Sequence, residues 1–88
     1  MAPRDGMPDA HDMYRPPVKR SITIAGHQTS ITLEPLFWEG LERAARQARL
    51  PLSALVARID ADRLEAEDPP NLASALRSWL YAEAGRAN

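Results

Sequence analysis

Three side chains in one short stretch have the types and spacing for uncharged recognition chemistry: Gln28, Ser30 and Thr32. Successive residues of a strand point to opposite faces, so positions i, i+2 and i+4 share one. An amide followed by two hydroxyls offers a row of hydrogen-bond donors and acceptors, suited to directional contacts rather than ion pairing. The other candidates are weaker. The two histidines, His11 and His27, are 16 residues apart, and neither stands in a ligand-like spacing with acids. Asp60 and Asp62 lie two apart, on different faces of a helix. Cysteine is absent, which removes disulfides and thiolate metal sites together. No Gly-rich loop resembles a nucleotide cradle and no Ser-His-Asp geometry can be argued. The sequence points away from an enzyme, a metal site and a cofactor.

A strand this short cannot bury a face alone, so its neighbours matter. The chain has 88 residues, which sets one domain as the ceiling. Domains of this size often need disulfides, metals or a partner subunit. With the first two removed, a homodimer is expected. No run approaches the roughly 18 apolar residues needed to span a bilayer, and MAPRDGMPDAHDMYRPP lacks the apolar core of a secretory signal. The expectation is a cytoplasmic protein without a membrane partner. The formal charge is −1, which gives no global attraction to a polyanion. Its distribution is uneven. Arg15, Lys19 and Arg20 occur with no acid between Tyr14 and Leu33, whereas Glu34 to Asp68 holds eight acids against five arginines. Any basic face must come from the front of the molecule.

The elements follow from periodicity. Residues 1–17, rich in proline and aspartate, read as a disordered arm. From Val18 the pattern alternates, with Ile22 and Ile24 against Ser21 and Thr23. Gly26-His27 interrupts it, and Thr29, Ile31 and Leu33 resume it. A Gly-X pair between two alternating runs predicts a hairpin with a type II′ turn. That loop sets Ile24 opposite Thr29, Thr23 opposite Ser30 and Ile22 opposite Ile31. Pro35 marks a helix start, and Phe37, Leu41, Ala44, Ala45 and Ala48 form its apolar stripe, with Trp38 on the flank. Arg49-Leu50-Pro51 ends this helix. Leu52, Leu55, Val56 and Ile59 give a second stripe reaching toward Leu64. Glu65 to Pro70 is an acidic linker, Asn71 an N-cap, and Leu72 to Leu80 a third apolar face that Gly85 ends. The class is α+β, a β-hairpin followed by three helices, with the domain at 18–83 and a flexible tail at 84–88. Glu39 with Arg43, Glu42 with Arg46 and Arg58 with Asp62 have the spacing of helical ion pairs.

A strand with alternating polar positions, then helix, turn and helix, resembles the ribbon-helix-helix proteins. The match runs from Gln28 to Ala61. The wider span from Arg20 to Trp79, with RSITIAGHQTSITLEPLFW, LPLSALVARID and NLASALRSWL, is similar to a bacterial subfamily with an extra N-terminal strand and C-terminal helix. The resemblance implies an intertwined homodimer in which the strand pairs antiparallel with its twin. It implies a transcriptional regulator that reads double-stranded DNA through this dimeric ribbon. Gln28, Ser30 and Thr32 would then face the bases, since Gln can bond adenine bidentately and Ser and Thr are less selective. The amides of Leu52 and Ser53, opening the second helix, would hold a backbone phosphate, and Arg49 would add charge. The alternative is a dimeric adaptor or antitoxin-like module that binds a protein partner and no DNA, with Trp79 as an anchor. The sequence departs from the family pattern at three places. Gln28 stands where DNA-binding members often have a basic residue. Arg49-Leu50-Pro51-Leu52-Ser53 replaces the usual Gly-x-Ser-x-Asn turn. An added outer strand would also make the dimer sheet four strands wide, roughly 14 Å of backbone against a major groove of about 12 Å.

Overall fold

Two alternating runs separated by a two-residue turn pair as an antiparallel hairpin, β1 (Val18–Ile24) with β2 (His27–Leu33). The computed structural model describes residues 14–86. Most of the expected arm, residues 1–13, and the last two residues of the expected tail lie outside the described residues. Tyr14 to Pro17 are described and enter no helix or strand. Helices α1 (Pro35–Ala48), α2 (Leu52–Leu64) and α3 (Leu72–Arg86) follow the hairpin.

The turn differs from the expected one. Its central residues are Ala25 and Gly26, not Gly26 and His27, and both have positive φ, 50° and 83°. Positive φ at both positions is type I′ geometry, not type II′. Left-handed backbone costs Ala25 on the order of 1 kcal/mol. The register moves by two: Ile22 faces Thr29, Thr23 faces Gln28 and Val18 faces Leu33. A shift of two leaves every side chain on its face, and it also lets the ladder end on Leu33. The expected register would have run Val18 onto Pro35, which has no N–H to donate.

Core positions repeat at every second residue of the strands and along one stripe of each helix. Ile22 and Ile24 of β1, Ile31 and Leu33 of β2, and Leu41, Leu55, Val56, Ile59 and Leu76 of the helices are all buried. Helix α1 is turned slightly from its expected setting. Trp38, Leu41 and Ala45 face the core, while Phe37 and Ala44 pack at its margin and Ala48 is exposed. Neighbouring apolar positions on a helix differ by about 100°, so either stripe satisfied the pattern. Helix α3 approaches α1 closely at Gly40, where a Cβ would lie 3.3 Å from a Leu80 methyl. Asn71 caps α3, its Oδ1 accepting the Ser74 N–H at 2.8 Å. The helix then runs through Gly85 to Arg86 rather than stopping before it. One glycine costs a helix about 1 kcal/mol, and the Arg86–Glu83 pair at 2.8 Å supports that last turn.

Among the described residues the ion pairs divide evenly between tertiary contacts and i,i+3 helical spacing, and none is an expected i,i+4 pair. Glu42 meets Arg20 of β1 at 3.7 Å rather than Arg46, and Asp60 meets Arg63 at 2.8 Å. Arg63 also donates to the Pro70 carbonyl at 3.0 Å, fastening the acidic linker to α2. No helix among the described residues is long and apolar enough to cross a membrane.

Candidate nucleic-acid interface

The register divides the hairpin's side chains between two faces. One packs on the helices. The other carries three cross-strand pairs, Lys19–Thr32, Ser21–Ser30 and Thr23–Gln28, and all six residues are exposed. The hairpin contains no acid, so this face has one cation, hydroxyls and an amide, with nothing to repel an anion. Gln28, Ser30 and Thr32 are therefore brought together as expected. Lys19, Ser21 and Thr23 complete their surface and were not singled out from sequence. The signal was present in β1, where Lys19, Ser21 and Thr23 alternate with Arg20, Ile22 and Ile24. Lys19 also supplies, at the opposite end of the face, the cation that Gln28 does not.

Pair geometry makes this face compact. In a two-residue hairpin the closing pair, here Ile24–His27, is hydrogen-bonded, and the pairs then alternate. The three polar pairs are thus of the non-hydrogen-bonded kind, whose Cα atoms approach to about 4.5 Å. The same alternation turns the backbone N–H and C=O groups of Gln28, Ser30 and Thr32 outward along β2's edge away from β1. Among the described residues the sheet has two strands, so that edge has no neighbouring strand from the same chain.

Strand β1 is fastened to the body of the protein. Trp38 Nε1 donates to the Val18 carbonyl at 2.9 Å. Arg20 lies over the Trp38 ring at 4.7 Å from its centroid, held from the other side by Glu42. Releasing β1 would expose Ile22 and Ile24, at roughly 1.5–3 kcal/mol each, and would break the Trp38 bond at about 1 kcal/mol. Arg20 is committed to this contact, so Lys19 is the cation on the polar face.

The second group of expected residues sits at the α1–α2 turn. Arg49 ends α1 in the left-handed region, φ 58° and ψ 41°. Its N–H bonds the Arg46 carbonyl at 3.1 Å and the Leu50 N–H bonds the Ala45 carbonyl at 2.9 Å, the paired bonds of a Schellman ending. Glycine usually fills such a position, and here the exposed Arg49 does. Pro51 precedes α2 in extended conformation, with no side-chain cap. Its carbonyl accepts from Ala54 and Leu55, which leaves the amides of Leu52 and Ser53 at the positive end of the helix. Leu52 and Ser53 are half-buried. This cluster is separate from the strand face: α1 places about 20 Å between the end of β2 and the turn.

Elsewhere, the shallow groove between α1 and α3, lined by Gly40, Arg43, Gln47, Leu80 and Glu83, is open to solvent. Trp79 is half-buried against the core. The exposed aromatic of α3 is Tyr81. Glu34, at the β2–α1 junction, meets Arg77 of α3 at 3.0 Å. A backbone hydrogen bond at Glu34 and the Arg77 guanidinium hold its carboxyl below the usual range, against partial opposition from burial.

A family model described as a ribbon-helix-helix domain matches residues 17–84. No curated protein and no solved structure shows significant similarity to the chain.

Proposed function

The chain belongs to the ribbon-helix-helix domain family, and from that premise we propose that it is a homodimeric DNA-binding transcriptional regulator. Members of the family are generally DNA-binding transcription regulators or antitoxins, typically non-enzymatic, and they typically act as dimers. The observation that carries the reading is the hairpin register, which gathers acid-free hydrogen-bonding side chains on one exposed face. Gln28 suits adenine, whose N6 and N7 it can engage together, while Ser30 and Thr32 bond several base edges. The amides of Leu52 and Ser53 would take a backbone phosphate, helped by Arg49, and so fix the protein's register on the duplex.

The test is duplex binding followed by fluorescence anisotropy at several salt concentrations. The reading expects affinity that falls steeply with salt. It also expects the double substitution Gln28→Ala, Thr32→Ala to weaken specific binding about tenfold or more, because each base contact discriminates by roughly 1–3 kcal/mol. The variant's fold should be unchanged by circular dichroism, since both side chains are exposed. Absence of salt-sensitive duplex binding at micromolar protein would overturn the reading.

A further inference from the structure

We propose that Lys19 of β1 is a DNA phosphate contact, set in place by anchors on both of its chain neighbours. The inference rests on the homodimeric DNA-binding reading above and adds β1 to the elements that meet the duplex.

The residues on either side of Lys19 are tied to α1. The Val18 carbonyl accepts from Trp38 Nε1 at 2.9 Å. The Arg20 guanidinium lies 4.7 Å from the Trp38 ring centroid and meets Glu42 at 3.7 Å. Successive side chains of a strand point to opposite faces, so these anchors turn Lys19 outward, opposite Thr32 on the polar face. Lys19 is exposed and enters no ion pair among the described residues. The hairpin contains no acid, and the acid that follows it, Glu34, is taken by Arg77 at 3.0 Å. The two cations of β1 are thus divided: Arg20 is paired, and the charge of Lys19 is left uncompensated. With the backbone held at both neighbours, only the lysine's own rotamers remain to be ordered on binding.

Position selects phosphate over base. In a dimer with β2 beside its twin, β1 is the outer strand on each side. Its axis then lies one and a half strand spacings from the dimer axis, about 7 Å. A major groove about 12 Å wide has its wall about 6 Å from its centre. Strand β1 therefore overlies the phosphates at the rim, while β2, about 2.4 Å from the axis, overlies the bases. The residue types follow that division. Strand β2 offers an amide and hydroxyls, whereas β1 brings the cation, with Ser21 and Thr23 hydroxyls that also suit phosphate oxygens.

The test is duplex binding by fluorescence anisotropy over a salt series, with one specific and one unrelated duplex. Lys19→Ala is expected to weaken both complexes by the same factor and to reduce the slope of log affinity against log salt by about one per chain. Lys19→Arg should keep the wild-type slope. Arg43→Ala removes the same charge from the groove between α1 and α3 and should also leave the slope at its wild-type value. A wild-type slope in Lys19→Ala would overturn the proposal. So would an equal loss of slope in Arg43→Ala, since net charge alone would then explain the effect. If Lys19→Ala does not fold, Lys19→Gln, which retains most of the alkyl stem, carries the same expectation and the same refutation. Wild-type protein without salt-sensitive binding removes the parent reading instead, a distinguishable failure.

Discussion

Arg49 is the residue at which backbone chemistry and the proposed DNA contact separate most cleanly. It holds a left-handed conformation that favours glycine, and its side chain is exposed. Arg49→Gly should raise stability by up to about 1 kcal/mol, read as a higher urea midpoint. The same change should weaken duplex binding and flatten its salt dependence. Lower stability would mean that the arginine side chain packs on the turn. Glu34 gives the pH counterpart. Its carboxyl is held below the usual range by the backbone bond and by Arg77. A lowered folded pKa means the stabilisation is complete above the ordinary carboxylate pKa, about 4.3. It is lost as pH falls through the lowered value. The advantage of wild type over Glu34→Gln in thermal midpoint should therefore be present at neutral pH and shrink on acidification. A difference independent of pH would show that the charge of Glu34 is not what stabilises this junction.

Among the elements, β1 forms half of the sheet, and Trp38 decides how firmly β1 is held. Trp38→Phe keeps an aromatic ring but loses the indole N–H that bonds the Val18 carbonyl. It should cost about 1 kcal/mol and speed amide hydrogen exchange in β1 more than in α2. Equal acceleration everywhere would mean that Trp38 acts only through general packing. The elements themselves were legible from sequence because alternation and helical stripes are local. The hairpin's register was not. Registers differing by two residues put identical side chains on each face, so polarity could not distinguish them, and an alanine at positive φ leaves no sequence mark. The rotation of α1 was hidden for a related reason: Phe37 and Trp38 are adjacent and both apolar. Only the reach of the Trp38 indole to Val18, twenty residues away, selects between them.

At the scale of the whole molecule, all five elements of one chain contribute buried residues, from Ile22 in β1 to Leu76 in α3. The polar sheet face and β2's outer edge lie outside that core. The polar face was half legible, since β2's alternation marked Gln28, Ser30 and Thr32, while the same alternation in β1 was present but not singled out. The Leu52–Ser53 helix start and Arg49 fell where the sequence placed them, in a separate cluster at the far end of α1. This small acidic protein is proposed to bind duplex DNA through a limited set of cations. The most direct measurement is wild-type duplex affinity titrated from about 50 to 200 mM salt. If Lys19 and Arg49 of two chains each meet a phosphate, the log–log slope should be about −3 to −4. Binding that is absent, or affinity that does not change over that range, would contradict it.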